Sequence, residues 1–180
     1  MRKIILGILG IIMICGVANA EVTMTIDQGT INSFFSALGT ISGNKQIQIF
    51  TATAPVSYSF SNMQVTLNNG VANMSAKLYL KTPEYNNTGT ISGTLNITSA
   101  GMSMLDFNLT NLKSSDSQLQ SLLSSLAAIG VFNIQYPING STTYSLSALG
   151  GEKTITSHYN VSQILIQNGK LTLNGNIVYN

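Results

Sequence analysis

Charge is what this sequence has least of: Asp, Glu, Lys and Arg make up 8% of its 180 residues, beside one histidine, one cysteine and no tryptophan. A single histidine, His158, and a single cysteine, Cys15, leave no ordinary ligand set for zinc or another transition metal, so no metal and no cofactor is expected. One cysteine also forms no internal disulfide. His158 would be the only base for a Ser-His-Asp triad, and no Gly-x-Ser-x-Gly elbow accompanies it. The carboxylates Glu21, Asp27, Glu84, Asp106, Asp116 and Glu152 are scattered, with no spacing that pairs two of them for glycoside hydrolysis. The chain therefore reads as non-enzymatic. Its formal charge of +2 comes from Arg2 and Lys3, because the other lysines balance the carboxylates. Without a basic run, nothing marks nucleic acid or an anionic headgroup surface as a partner.

Long apolar runs are also missing beyond the start of the chain. Arg2 and Lys3, the stretch Ile4 to Cys15 and the triplet Ala18-Asn19-Ala20 have the three parts of a secretory signal peptide, too short for a membrane span. Cleavage is expected after Ala20, giving an exported protein, periplasmic or extracellular, that starts at Glu21. Ile14 precedes Cys15 where a lipoprotein signal needs a small residue, so no lipid anchor is expected. Association with a membrane stays compatible with this reading, but a transmembrane span does not. Residues 21–180 have the length of a single domain, and no linker or composition shift divides them. The polar residues are mostly Asn, Ser, Thr and Gln, yet 44% of the sequence is hydrophobic and regularly spaced, which separates it from disordered polar chains. The same bias generates Asn-x-Ser/Thr sequons at Asn73, Asn86, Asn96, Asn108, Asn139 and Asn160 by composition alone.

Two segments have a helical period. Leu119, Leu122, Leu123 and Leu126 fall at i, i+3, i+4 and i+7 within Ser115 to Phe132, with Gln and Ser on the other face. Ser115 with Gln118 reads as a capping box, Asp116 belongs in the first turn, and Gly130 supplies the left-handed residue that ends the helix. Earlier, Ile31, Phe34, Phe35 and Leu38 repeat the spacing between Asp27, a cap, and Gly39, a stop. Adjacent phenylalanines on such a stripe suit either a packed core or the lining of a hydrophobic cavity.

Almost everything else alternates with period two. Val22, Met24 and Ile26 predict a short first strand, and alternation resumes at Gln46. Val56, Tyr58 and Phe60 give way one register later to Met63, Val65 and Leu67, which predicts a bulge near Ser61-Asn62. Asn69-Gly70 predicts a type I′ hairpin pairing Asn68 with Val71, Leu67 with Ala72, Val65 with Met74 and Met63 with Ala76. The returning strand runs through Leu78 and Leu80 to Pro83. Asn86 to Gly89 reads as a polar loop, followed by strands around Ile91 to Ile97 and Leu105 to Leu109 with a turn at Ser99-Ala100-Gly101. Shorter strands are expected at Phe132 to Tyr136 and Thr142 to Leu146. Asn168-Gly169 sets a closing hairpin with Ile166 opposite Leu171 and Ile164 opposite Leu173. Two main helices among antiparallel strands define an α+β fold, with the helices on one face of the sheet.

Several short motifs follow one another in a telling order: Thr25-Ile26-Asp27 with Ile31-Asn32 and Phe35; the alternating Val65 to Leu80 with Thr82-Pro83-Glu84-Tyr85; the leucine helix; Tyr144-Ser145-Leu146; and Gly169-Lys170-Leu171. In order and spacing the chain resembles the YceB-like exported proteins of unknown function, which are related to tubular lipid-binding (TULIP-like) folds. The resemblance implies a strongly curved antiparallel sheet wrapped around a helix, with a groove between them for acyl chains. Phe34, Phe35, Leu38, Met63, Val65, Met74, Leu78, Leu119, Leu122, Leu123 and Leu126 would line that groove. The implied function is non-enzymatic binding of a lipid or another hydrophobic small molecule. Because no positive cluster is present, the grip should fall on acyl chains more than on anionic headgroups and depend little on salt. The uncharged, β-rich composition also suits an alternative, a structural or adhesive surface protein that assembles through sheet edges.

Overall fold

The computed structural model describes residues 21–49, 52–101, 103–138, 142–148 and 151–179. The expected signal peptide with Cys15 and the sequon at Asn139 lie outside the described residues. Among those described, the order is β1 (Glu21–Asp27), α1 (Gln28–Leu38), β2 (Ile41–Ile49), β3 (Ala52–Asn68), β4 (Val71–Lys81), β5 (Asn86–Ser99), β6 (Met104–Ser114), α2 (Ser117–Ala128), β7 (Asn133–Pro137), β8 (Thr142–Ala148), β9 (Gly151–Gln167) and β10 (Lys170–Tyr179). The fold is α+β, as expected. The strands pair antiparallel and divide between two sheets: six in the order β2-β3-β4-β5-β6-β7, strongly curled into a half-barrel, and four in the order β1-β10-β9-β8.

The first strand thus pairs with the last, Met24 opposite Leu173 and Ile26 opposite Leu171. Tyr159 of β9 pins this pairing from inside, its buried hydroxyl donating toward the carbonyls of Val22 at 2.8 Å and Leu173 at 2.7 Å. Both Asn-Gly hairpins form in the expected register, with Gly70 at φ 79° and Gly169 at φ 69°. They also meet each other. Gly70 N–H donates to the Ile166 carbonyl and Gly169 N–H to the Leu67 carbonyl, both at 2.9 Å, which ties the two sheets together at their turns.

Some local expectations need correcting. Met63 does not pair with Ala76, because the bulge between Ser61 and Gln64 sets Asn62 and Met63 together against Ala76, with Asn62 at φ 52°. Asn86 to Gly89 is not a loop but the start of β5. Thr82 N–H donates to the Tyr85 carbonyl at 2.7 Å, and this tight turn brings Asn86 opposite Lys81. Strand pairing uses the backbone, so polar side chains facing water do not interrupt it; β2 likewise begins at Ile41, five residues before the alternation is obvious. Helix α2 starts at Ser117, and Asp116 is its N-cap, the carboxylate accepting from Leu119 N–H at 2.8 Å. An ionised acceptor at that position outcompetes the Ser115 hydroxyl expected there. Asp27 holds the N-cap position of α1 by backbone conformation alone, without a side-chain cap bond.

Helix α1 packs on β3, and α2 on β6 and β2. Ile31 and Phe35 of α1 and Leu119, Leu123 and Leu126 of α2 are buried in one continuous core with Val65, Leu67, Met74, Leu78 and Phe107. The stripes are narrower than their spacing suggested: Phe34 and Leu122 are only partly buried, and Leu38 is 41% exposed. Polar groups fix how α1 lies. Pairing of β2 with β3 ends at Phe60, so the next residues of β3 have no strand on that side. Asn32 takes its place, Oδ1 accepting from Val65 N–H at 2.7 Å while Nδ2 donates to the Val65 carbonyl at 3.0 Å. Gln28 Oε1 accepts from Leu67 N–H at 2.7 Å. Side-chain amides thereby complete the hydrogen bonding of a strand edge that the bulge would otherwise leave open.

Candidate functional site

An apolar cavity of about 630 Å3 lies between the end of α1, the concave face of β2 to β4, and the segment that leads from α2 into β7. Its floor is Phe60, Met63, Met74, Ala76, Leu109 and Phe132, all buried. The rim is more open, with Leu38, Ile41, Lys45 and Tyr58 on one side and Ile129 to Gln135 on the other. Local sequence makes this geometry. Gly39 at φ 68° and Gly130 at φ 70° end the two helices beside the cavity, and each turns the chain toward the rim.

Aromatic contacts hold the walls apart and in place. Phe60 and Phe132 meet edge to face with ring centres 5.2 Å apart, while Leu109 N–H donates to the Phe132 carbonyl at 3.0 Å. The segment after α2 is thereby pinned at its base. Tyr58 crosses β2 at Gly43, where a Cβ would stand 2.5 Å from the tyrosine hydroxyl, so a larger residue there would make the ring shift. Deeper in, Phe107 stacks on Tyr136 at 5.2 Å and Phe34 meets Tyr136 edge to face at 4.8 Å. Burial pushes the Tyr136 phenol above its ordinary pKa and keeps it neutral.

Of the residues expected to line a groove, the structure places Leu38, Met63 and Met74 in the cavity wall. Phe35, Val65, Leu78, Leu119, Leu123 and Leu126 are packed in the core, and Phe34 and Leu122 lie at its margin. Ile41, Lys45, Tyr58, Phe60 and the segment from Ile129 to Gln135 also line it and were not among the residues expected there, although alternation marks Tyr58 and Phe60 as one strand face. A signal for the first two exists: the alternation Ile41, Gly43, Lys45, Ile47 places them on one strand face. Among the described residues, Lys45 is the only charged side chain in the wall, and no carboxylate accompanies it. The wall offers apolar contact, the amides of Asn133 and Gln135 and the Tyr58 hydroxyl at the rim, and one ammonium.

Among the described residues, no three His, Cys, Asp or Glu side chains gather in a metal-binding group. None of the described helices is long and apolar enough to cross a membrane. No protein-family model, curated protein or solved structure matches the chain.

Proposed function

We propose that this is an exported, non-enzymatic protein that binds a lipid or another hydrophobic small molecule in the cavity beneath the α2–β7 segment. The observation that carries this reading is the cavity itself: its volume of about 630 Å3 falls within the roughly 300–1,000 Å3 of small-molecule sites. The curled sheet with helices in its concavity is the architecture that a kinship with YceB-like and TULIP-like proteins would require. Two methionines in the floor, Met63 and Met74, supply flexible, polarisable contacts that adapt to an acyl chain. Titration with a fluorescent fatty acid tests the reading: saturable binding at micromolar protein is expected, and its absence would refute it. Export is part of the proposal, and intact mass of the secreted form is expected to begin at Glu21 without added acyl groups.

A second reading, assembly through sheet edges, draws on the terminal strands β1, β2, β7 and β8 of the two sheets. It predicts concentration-dependent self-association together with no fatty-acid binding.

A further inference from the structure

Lys45 stands where a core residue is expected. In β2 the ladder sets Ile41 opposite Phe60, Gly43 opposite Tyr58, Lys45 opposite Val56 and Ile47 opposite Ala54. Alternate residues of a strand share a face, so Lys45 occupies the inward row between Gly43 and Ile47. Its neighbours on that row are apolar, and Ile47 and Val56 are each only 1% exposed. The lysine itself is exposed, its position at the cavity rim letting a hydrocarbon stem run along the wall while the ammonium meets water.

Resting on the lipid-binding reading above, we propose that the ligand is an amphiphile with an anionic end group, its tail on the floor formed by Phe60, Met63 and Met74 and its head at Lys45. Among the described residues of the wall the charge is all of one sign, with no carboxylate to pair with the ammonium. An apolar site with a single cation at its mouth favours a chain that ends in a carboxylate or phosphate, and disfavours one that ends in an amine. The tail supplies most of the affinity, since burying each methylene is worth more than an exposed ion pair. The head sets orientation and selectivity. Salt then weakens the preference between headgroups and leaves tail binding in place.

An inward lysine on an edge strand also blocks pairing with a second copy of the sheet. That role alone predicts self-association on replacing Lys45 and no headgroup preference, so the two are separable. The experiment is competition against a fluorescent fatty acid, below micellar concentrations, by palmitate, hexadecyl phosphate, hexadecanol and hexadecylamine. The wild-type protein is expected to bind one or both anionic ligands about two- to fivefold more tightly than hexadecanol at low salt, the two arms telling which anion is favoured. Lys45→Gln should abolish the difference, and Lys45→Glu should turn the preference toward hexadecylamine. Because the side chain is exposed, circular dichroism of both variants should match the wild type. Equal binding of all four ligands to the wild type, or a preference that survives in Lys45→Gln, would overturn the assignment of Lys45 while leaving the cavity as a lipid site. Binding of none would overturn both readings.

Discussion

Replacing Asn32 should expose how much the fold depends on a side chain that mimics a strand. Asn32→Ala removes two hydrogen bonds, of 2.7 and 3.0 Å, and leaves the N–H and C=O of Val65 without partners beside a side chain only 1% exposed. An orphaned buried polar group costs about 1–3 kcal/mol, and the site is part-buried, so water recovers some of that. A loss of roughly 2–4 kcal/mol is expected. With a urea m-value of about 2 kcal/mol/M, the midpoint should fall by about 1–2 M. Asn32→Asp is not conservative here. One carboxylate oxygen still accepts from Val65 N–H, but the other faces the Val65 carbonyl, and two acceptors repel. Protonation restores a donor, so the folded state holds the proton more tightly than the unfolded chain and the introduced carboxyl has a raised folded pKa. The stabilisation from that proton is therefore full below the unfolded value, about 3.9, and is lost as pH rises through the folded one. Relative to wild type, the variant should gain stability on acidification. Ser33→Ala is the control, since its hydroxyl bonds the exposed Gly29 carbonyl within α1 and should matter by less than about 0.5 kcal/mol. Urea unfolding of all three across a range of pH gives the comparison. If Asn32→Ala unfolds where Ser33→Ala does, or Asn32→Asp shows no relative gain in acid, the amide does not replace a strand.

Leu123→Ala should cost about 2–5 kcal/mol, and Leu122→Ala clearly less because Leu122 is only partly buried; equal urea midpoints would contradict the orientation of α2. Gly175→Ala should lower the thermal midpoint, since its Cβ would collide with the Asn160 carbonyl and lie 3.2 Å from the Tyr159 ring. In contrast, Gly29→Ala in α1, with nothing within 4 Å, should raise it by about 1–4 °C, the equivalent of a helix-propensity gain of up to about 1 kcal/mol. Burial, the larger cause, raises the Tyr159 phenol above 10.0, so its contribution is complete below that pH and declines above it as the unfolded chain ionises first. Tyr159→Phe should therefore weaken the fold at neutral pH by about 0.5–1.5 kcal/mol yet flatten the alkaline decline, followed by denaturant unfolding at a series of alkaline pH values; an unchanged decline would show that Tyr159 is not its source.

Positions governed by backbone conformation were legible without any structure. Asn69-Gly70 and Asn168-Gly169 set their hairpins because each glycine supplies the positive φ of its turn, although Asn69 and Asn168 do not share it and the turns are not the type I′ expected, and the apolar alternation on either side agrees with only one register. The phase shift from Phe60 to Met63 announced the bulge for the same reason. Gly39 and Gly130 ended their helices as written. Interactions over a few residues determined each of these, so a short window of sequence held the whole answer.

The union of β1 with β10, the split into two sheets and the clasp of Asn32 on Val65 belong to tertiary structure. Asn32 stood out in the sequence only as part of the Ile31-Asn32 motif and without a role, because nothing near it in the chain reveals a strand edge left open by a bulge some thirty positions later. The cavity is the sharpest case. Phe35, Val65 and Leu123 have the same periodic signature as Met63 and Met74, and all five are buried, yet only the two methionines form part of the wall of this cavity. Hydrophobic patterning decides which side of an element turns inward; whether that inward side meets atoms or a void depends on the relative positions of α1, the curled sheet and the α2–β7 segment, fixed only when distant segments pack together.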